Sequence, residues 1–417
     1  MEAAPPNGLS IRGNRMVENR PIPGYIDEHF ARIDDAWSPD NPDGYVAMCI
    51  AENKLVWDLI EPKLAASRDV PARVIAYDLM TGTQSFRETV ASFLGRRVVY
   101  RDIDPEHVIA VAGTGTVLEM LFYAIANPGD GVLVPTPSYT GFWPDLEARD
   151  ELTIIPVHTS SDTGFRLTTD LLDAAIDGTD RPVKALLFTS PDNPLGRIYS
   201  ADHLDTIIEW AEQRQIHLVF DELFALSVFD GSTFVSGGSR RASLGDRIHL
   251  VWAVSKDLAA SGLRCGVLVS ENPGVLQAVE GQAYWGAVSG DTQYALEQLI
   301  SDDEWIDGFV EENQRRLGNA HRRVTDALTA ASIPHIPGQA GFFFLCDMRR
   351  FMPDVTWEAE DELWSWLVEV VNVNLTPGSE CHIGEPGWMR LVFPSVETAA
   401  VVAGVERMGR ALADRRA

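Results

Sequence analysis

Between residues 105 and 270, short apolar runs alternate with longer segments in which apolar residues recur every three or four positions. The longer segments predict helices, and the short runs predict strands. Short apolar strands that alternate with helices are typical of an α/β fold, in which helices cover both faces of a mainly parallel sheet. The predicted strands are 108–112, 132–134, 152–157, 183–189, 216–220 and 248–254, and the predicted helices between them are 117–126, 170–176 and 201–214.

The pattern changes at both ends of this region. Residues 1–45 are rich in proline, glycine and asparagine, which predicts an arm rather than part of a core. After residue 300, a long charged helix at 303–331 is followed by an apolar segment, a Trp-rich helix, a strand and a final helix. We take this part as a second, α+β domain, because 417 residues are too many for a single hydrophobic core.

Composition and charge narrow the range of partners. The formal net charge of -27 and the lack of a Lys/Arg cluster argue against nucleic acid and against an anionic membrane surface. The four cysteines are scattered and form no C-x-x-C pair, so we expect a reducing, cytoplasmic setting with neither a metal site nor disulfides. The N-terminal stretch lacks the apolar segment of a secretory signal, and we expect none.

Residues suited to chemistry follow several of the predicted strands. The run at 248–254 leads to Ser255 and Lys256, and Arg264 comes eight positions after the lysine. A lysine at the exit of a buried strand costs free energy unless it is paired, neutral or covalently occupied. A bond to a carbonyl cofactor would remove that cost, and a nearby arginine suits a bound phosphate. Taken alone, however, Lys256 is better explained as a solvated surface lysine.

Three other strands end in residues of similar interest. Asp221 follows the strand at 216–220, Asn193 lies just after the strand at 183–189, and Gly-Thr-Gly-Thr precedes a helix whose free N–H groups can hold a phosphate. Each has an ordinary explanation as a helix cap or a turn. Because ligands of parallel sheets bind at the carboxyl ends of the strands, the order of these residues is more informative than any one of them.

In this order the motifs resemble those of fold-type I pyridoxal phosphate (PLP) enzymes of the class I/II aminotransferase group. Within that group the chain most resembles 1-aminocyclopropane-1-carboxylate (ACC) synthases, from about residue 45 to the C-terminus. The two C-terminal motifs are more particular to ACC synthases than to aminotransferases in general. The motifs are A-E-N (51–53), V-P-T-P-x-Y (134–139), N-P-L-G (193–196), S-K-D-L (255–258), P-G-S-x-C-H (377–382) and G-W-x-R (387–390).

The resemblance implies the fold of PLP-dependent transferases of the aspartate aminotransferase type, with a large and a small domain. The mainly parallel sheet belongs to the large, PLP-binding domain, and the small domain is α+β. The resemblance also implies a homodimer, with active sites at the subunit interface. The predicted boundaries are 1–66 for the arm and part of the small domain, 67–300 for the large domain and 301–417 for the rest of the small domain.

The resemblance also gives several residues a role toward PLP. Lys256 would bond to the cofactor and later remove the substrate Cα proton. Asp221 would pair with the pyridinium nitrogen and keep it protonated, Asn193 would donate to the 3-oxygen, and Tyr139 would stack on the ring. The phosphate would be bound by Arg264 and by backbone groups near Gly115, Thr116 and Val117.

Two further residues are implied to bind the substrate. Arg390 would hold the substrate carboxylate with its two-pronged guanidinium. Glu52 matches the family glutamate beside the substrate side chain, where ACC synthases accommodate S-adenosylmethionine (SAM). A carboxylate near a sulfonium cation is electrostatically sensible, although a surface glutamate is the simpler explanation of Glu52 alone.

Three positions depart from the family pattern. Phe224 stands where the family has a tyrosine that supports the 3-oxygen of the cofactor, and Ala253 stands where it has a phosphate-binding serine. Met80 replaces a tyrosine that reaches the cofactor of the neighbouring subunit, unless Tyr77 takes that place. Losing one neutral hydrogen bond costs on the order of 1 kcal/mol, and losing one to a charged phosphate costs about 1.5–3 kcal/mol. We therefore expect PLP binding to survive, with altered tuning of the site.

These residues lead to a main hypothesis and three alternatives. The main one is a PLP enzyme that removes the Cα proton of SAM and releases methylthioadenosine, followed by closure to the cyclopropane or by addition to, or annulation with, a second small-molecule substrate. An aminotransferase between an amino acid and a 2-oxo acid is the first alternative. A PLP-binding regulator would need an appended DNA-binding domain, for which the chain has no room. A nicotinamide dehydrogenase would need a G-x-G-x-x-G motif, of which Gly-Thr-Gly is too short a fragment.

Overall fold

A seven-stranded sheet lies at the centre of the computed structural model, which describes residues 8–229 and 231–415. The strands of the described residues are β1 (Val46–Ala47), β2 (Val108–Val111), β3 (Gly131–Thr136), β4 (Thr153–His158), β5 (Val183–Thr189), β6 (His217–Asp221), β7 (Ile248–Ala253), β8 (Gly266–Ser270), β9 (His335–Pro337), β10 (Phe343–Asp347), β11 (Val373–Asn374), β12 (Thr376–Pro377) and β13 (Trp388–Val392). The order in the large sheet is β2-β8-β7-β6-β5-β3-β4. Among these described strands β8 alone runs in the opposite direction to the other six, so the predicted mainly parallel sheet is confirmed.

Helices connect and cover these strands. Their bounds in the described residues are α1 (Ile11–Glu18), α2 (Gly24–Arg32), α3 (Trp57–Ala66), α4 (Gln84–Leu94), α5 (Thr114–Ile125), α6 (Phe142–Glu147), α7 (Thr169–Asp177), α8 (Ala201–Arg214), α9 (Val254–Asp257), α10 (Pro273–Ala283), α11 (Gly290–Ile300), α12 (Asp303–Ala330), α13 (Trp357–Glu369) and α14 (Thr398–Asp414). The predicted helix at 201–214 has these same bounds. Its start is fixed by Ser200, whose side chain accepts a hydrogen bond from the backbone N–H of His203.

The inner strands are apolar on both faces, and that is why their sequences read as continuous apolar runs. Neighbouring residues of a strand point to opposite faces, so Leu186 and Leu218 pack in one hydrophobic core while Leu187 and Val219 pack in the other. The sheet therefore separates two cores, and only its edges and the ends of its strands are open to polar side chains.

The C-terminal part carries a second sheet, which is antiparallel and has the order β12-β13-β10-β9. The N-terminal arm is attached to this part, because β1 pairs in parallel with β11. Next to this pair, the N–H of Val392 donates to the carbonyl oxygen of Met48 at 2.8 Å. The arm therefore delivers the segment that follows β1 to the region between the two sheets.

Several elements of the fold are absent from the sequence prediction, among them α6, α10 and α11. The arm, predicted as an irregular segment, contains α1 and α2, of which α1 buries no residue and α2 buries only Tyr25. Both helices are short, with eight and nine residues, and they stand in a stretch rich in proline, glycine and asparagine, which favours an irregular interpretation. β8 is also missing from the prediction, because it spans five residues directly after the turn at Arg264. In the described part of the chain, no helix combines the length and apolarity that crossing a membrane requires.

A pair of histidines lies inside the large sheet, at the ends of strands opposite to Asp221 and Lys256. His217 Nδ1 is 2.9 Å from His249 Nε2, and His249 Nδ1 is 2.9 Å from the hydroxyl oxygen of Ser270. Burial lowers the pKa of both histidines, and Arg247 lowers the pKa of His217 further. In the folded protein both histidines therefore stay neutral just below pH 6.5, where the same two histidines of the unfolded chain become protonated.

We expect this pair to make the fold sensitive to acid. The free energy of unfolding should fall as the pH drops below about 6.5, by up to about 1.4 kcal/mol per pH unit for each histidine, because the unfolded state binds more protons. Urea denaturation of the wild type and of His249→Gln between pH 7.5 and pH 5 measures this slope, which should be shallower in the variant. Leu250→Ala, on the same strand, is the control: it should lower the stability and keep the wild-type slope. Equal slopes in His249→Gln and the wild type would contradict the assignment.

Candidate active site

Lys256 lies at the carboxyl end of β7, on the short helix α9. Its Nζ donates a hydrogen bond to the carbonyl oxygen of Ala51 at 2.6 Å, so the segment after the arm holds the amine in place. Burial lowers the pKa of Lys256 to about 8; Glu52 acts against this shift and Arg390 adds to it. Close to half of the amine is therefore neutral near that pH, and a neutral amine is the form that reacts as a nucleophile or accepts a proton.

Asp221 ends β6, the strand that lies beside β7 in the sheet. Its side chain is buried, and its Oδ1 accepts a hydrogen bond from the N–H of Leu223 at 3.3 Å. The pKa of Asp221 is raised to about 7, mainly by burial and to a smaller extent by Asp145. The N–H of Leu223 and the charge of Lys256 act in the opposite direction. Among the described residues no cation forms an ion pair with this carboxylate, which leaves it suited to a positively charged group of a ligand.

Arg390, in the middle of β13, is among the largest fully buried side chains of the described residues. Its Nη1 donates to Asn193 Oδ1 at 3.1 Å, and its Nη2 donates to the hydroxyl of Thr376 at 2.9 Å and to the carbonyl of Cys49 at 3.1 Å. The guanidinium lies 5.2 Å from the ring centroid of Phe343. Its Nε has no hydrogen-bond partner among the described residues, and no carboxylate there pairs with it. A buried cation without a counter-ion is costly, so this arrangement favours an anionic ligand.

The start of α5 forms a cradle for an anion. Gly113 has a φ of +95° and precedes α5 without a side chain that could cap its N–H groups. A Cβ at Gly113 would overlap the guanidinium of Arg264. A Cβ at Gly266 would come within 2.6 Å of the Gly113 carbonyl carbon. The two glycines therefore let the backbone of α5, the strand β8 and the Arg264 guanidinium meet.

The backbone groups predicted at this cradle fall into two kinds. Gly115 and Thr116 lie in the first turn of α5, where N–H groups have no acceptor within the helix. Val117 is buried, and its N–H donates to the carbonyl oxygen of Gly113 at 3.1 Å, so the helix itself already uses this group. The helix start thus offers the N–H groups of Gly115 and Thr116, together with Arg264, to a phosphate.

A cavity of about 770 Å³ opens beside the cradle. Tyr139 lines it and stands edge-to-face against Phe142, with ring centroids 5.2 Å apart. Gly141 leaves room for the Tyr139 ring, because a Cβ there would overlap it. The N-terminal arm contributes Met16 and Tyr25 to the lining of this cavity.

Glu52 lies one residue after the carbonyl that holds Lys256. The hydroxyl of Ser261 donates to its Oε1 at 2.9 Å, and Lys54 Nζ is 3.8 Å from its Oε2. Glu52 has the largest charge effect on the pKa of Lys256, which places its carboxylate within electrostatic range of the amine. The structure thus brings Glu52 to the same end of the sheet as Lys256.

The three positions that depart from the family pattern have different surroundings. Phe224 is buried and packs edge-to-face on Phe343, with ring centroids 5.3 Å apart, so it supports the ring that faces Arg390. Ala253 is fully buried as the last residue of β7. Met80 and Tyr77 line a surface pocket of about 290 Å³, and Tyr77 is 97% exposed within the single chain. Tyr77 therefore does not enter its own chain's site.

Some residues of the site carry no periodic signal in the sequence, although His382 belongs to the P-G-S-x-C-H motif. Tyr25 is buried near Arg390 although it belongs to the arm, and burial raises its pKa well above the usual range. Trp143 and His382 stack with ring centroids 3.3 Å apart at the wall of the cavity. Asp145 lines the same cavity from α6. Such placements depend on tertiary contacts between distant segments, which no local periodicity reveals.

Comparisons with known proteins find similarity over most of the chain. The family model described as aminotransferase class I and II matches residues 72–408. Relatives include 1-aminocyclopropane-1-carboxylate synthase 8 of Arabidopsis thaliana, 34% identical over 394 residues that cover 89% of this chain and 83% of the relative. Another is 1-aminocyclopropane-1-carboxylate synthase 2 of Cucurbita pepo, 33% identical over 406 residues that cover 92% of this chain and 82% of the relative.

Solved structures show the same fold at lower identity. The aromatic aminotransferase from Pyrococcus horikoshii superposes with a TM-score of 0.79 at 20% identity, covering 94% of this chain and 100% of that chain. The aspartate aminotransferase from Thermus thermophilus with maleate gives a TM-score of 0.78 at 23% identity, covering 97% and 99%. The expected aspartate aminotransferase-like fold is confirmed.

The cradle at Gly113 yields a direct test. Gly113→Ala should weaken the binding of pyridoxal phosphate at least tenfold, because its Cβ displaces Arg264 and a lost bond to a charged phosphate costs about 1.5–3 kcal/mol. Gly262→Ala, two residues before Arg264, is the matched control, since its Cβ would meet nothing within 4 Å. Titration of the cofactor-free variants, followed by absorbance, measures both affinities. Equal affinities would contradict the assignment of the cradle.

Proposed function

The chain belongs to the aminotransferase class I and II family, and from that premise we propose that it is a PLP enzyme acting on SAM or a closely related amino acid. The observation that carries this proposal is the convergence of Lys256, Asp221 and Arg390, three charged groups that form no ion pair with one another. The names of the relatives, which are ACC synthases, support the choice of SAM.

The residues present match the chemical groups of PLP. The uncapped start of α5 and Arg264 suit its phosphate, and the buried carboxylate of Asp221 suits its pyridinium nitrogen. Tyr139 would cover the ring, and Asn193 would donate to the 3-oxygen through the amide nitrogen left free when its oxygen accepts from Arg390. When bound, PLP would hold the substrate amine covalently and withdraw electrons from its Cα, which makes the Cα proton acidic.

Arg390 would bind the substrate carboxylate. Arg390 donates one Nη1–H to Asn193 and its two Nη2–H groups to Thr376 and the carbonyl of Cys49, which leaves its Nε–H and its second Nη1–H for a carboxylate. Phe343 packs against one face of the guanidinium and keeps water away from it. An α-amino acid bound in this way has its Cα held in a fixed position relative to Lys256.

Lys256 would take the proton from Cα. A general base works best when its pKa lies near the working pH, and burial brings the pKa of Lys256 to about 8. The carbonyl of Ala51 accepts a hydrogen bond from Nζ and so orients the lone pair of the neutral amine. The neighbouring charge of Arg390 lowers the pKa further, and Glu52 raises it.

Glu52 would face the sulfonium of SAM. Its carboxylate is fixed by the hydroxyl of Ser261 and only loosely paired with Lys54, at 3.8 Å, so it can offset a second cation. In ACC-type closure, the electron pair left on Cα would form the Cα–Cγ bond as the Cγ–S bond breaks, and the sulfur would leave with its bonding pair as neutral methylthioadenosine. ACC-type closure to the cyclopropane agrees with the named relatives, and diversion to a second small-molecule substrate rests on the replacements at Phe224, Ala253 and Met80.

We also propose that the enzyme is a cytoplasmic homodimer. Several large apolar side chains are exposed in the single chain, namely Ile75 (86%), Tyr77 (97%), Tyr284 (70%) and Trp285 (79%). The loop with Tyr77 and the start of α11 line one surface pocket, so these side chains belong to neighbouring segments. Exposed apolar patches of this kind usually mark an interface, and a second copy of the chain is the partner that the family resemblance implies.

The first test is the release of methylthioadenosine from SAM. Wild-type enzyme with PLP should release it, and Lys256→Ala should release at least a hundredfold less, because the base and the bond to the cofactor are lost together. Lys63→Ala on α3, which pairs with Asp302, is the control and should keep the wild-type rate. The product is quantified by liquid chromatography.

Other outcomes of this assay would decide against the proposal. If the wild type releases no methylthioadenosine, with or without candidate second substrates, SAM is not its substrate. Formation of a keto acid from an amino donor alone, with the cofactor left in its amine form, would then favour the aminotransferase alternative.

A second test concerns Arg390. Arg390→Lys should raise the KM for SAM by about tenfold to a hundredfold and change kcat less, because lysine keeps the charge and loses the two-pronged geometry. The same variant should change the affinity for PLP much less than the KM for SAM, since Arg390 would act on the cofactor only through its contact with Asn193. An unchanged KM would contradict its role in holding the carboxylate.

A further inference from the structure

Asp145 lies directly beside the cradle at the start of α5. It belongs to α6, which packs against α5, and a Cβ built on Gly115 would lie 2.9 Å from Asp145 Oδ1. Asp145, Gly115 and Arg264 line the same cavity. The Arg264 guanidinium lies against Gly113, and the Asp145 carboxyl group lies against Gly115. Both groups therefore contact the start of α5, at positions two residues apart.

The charges around Asp145 come from several elements. Burial raises the pKa of Asp145 to about 7, Glu119 raises it further, and Arg264 lowers it. Glu119 itself is paired with Arg149 at 2.9 Å. Other titratable or charged groups in electrostatic range or along the same cavity are Tyr139, Asp221, Arg20, Glu380 and His382. Among the described residues no donor forms a hydrogen bond with the Asp145 carboxyl group, so this group has room for a ligand.

We propose that Asp145 is part of the phosphate site and that, with the phosphate ester of the cofactor bound, its carboxyl group is protonated and donates a hydrogen bond to a phosphate oxygen. An ionised carboxylate beside a phosphate dianion would be repelled, whereas a neutral carboxyl group donates a short, charge-assisted bond. The proton comes from solvent when the ligand binds. The proposal rests on the proposed use of PLP.

This role couples phosphate binding to proton uptake. In the free enzyme Asp145 is ionised above a pH of about 7, so at pH 8.5 binding of the phosphate ester must bring in a proton. The affinity of the wild type should therefore weaken with rising pH relative to that of Asp145→Asn, whose amide donates without titrating. The ratio of the two affinities should change by about tenfold per pH unit above 7.

Calorimetric titration of the cofactor-free enzyme with pyridoxamine 5′-phosphate tests this coupling. This ligand has no aldehyde and cannot bond to Lys256, so the titration of the lysine amine does not enter through that bond. Titrations at pH 8.5 in two buffers with different ionisation enthalpies give the number of protons taken up. Wild type should take up about one proton more than Asp145→Asn. Pyridoxamine without the phosphate should show no such difference.

Control variants separate this role from general effects. Glu119→Gln removes the neighbouring carboxylate of the same cavity and should keep the extra proton. Asp145→Ala should lose the proton as Asp145→Asn does, and circular dichroism verifies that both variants are folded. Equal proton uptake by the wild type and both Asp145 variants would overturn the role of Asp145. A wild type that fails to bind pyridoxamine 5′-phosphate at all would instead overturn the proposed cofactor.

Discussion

A buried guanidinium that no carboxylate of the described residues neutralises is the constraint on which the site depends. Arg390 is held by Asn193 after β5, by Thr376 of β12 and by the carbonyl of Cys49 after β1. These three contacts belong to three distant parts of the chain, and each is needed because an unpaired buried cation costs several kcal/mol. The large sheet, the C-terminal sheet and the segment after the arm must therefore dock together before the arginine is satisfied, so the site forms only in the complete fold.

Burial also sets the charge state of the site. The pKa of Lys256 falls to about 8, while those of Asp221 and Asp145 rise to about 7. Both directions follow from one cause, since an apolar environment disfavours the charged form of a base and of an acid alike. The pKa values of these three groups thus lie close to neutral pH. The charge of a bound ligand can therefore change their protonation states.

Sequence order predicts the parts of this arrangement that depend on local structure. Asp221 and Lys256 are expected near each other because both follow strands, and the parallel pairing of β6 and β7 does bring those strand ends together. Arg390 and Glu52 carry no local signal, and only the family resemblance points to them. Tyr25 and Asp145 escape prediction, because their places in the site result from the packing of the arm and of α6 against distant elements. Their separation along the chain hides such contacts from any periodic pattern.

Because Gly113 and Gly266 approach each other closely, the anion cradle tolerates substitution less well than the rest of the cavity lining. A side chain at either position would collide with backbone or with Arg264, so the anion cradle admits few substitutions without rebuilding the sheet. Other parts of the cavity lining come from the arm and from the loop before β13, such as Tyr25 and His382, which belong to none of the described strands. New substrate preferences can therefore arise at these lining residues while the cradle stays the same, and a library for altered specificity belongs there.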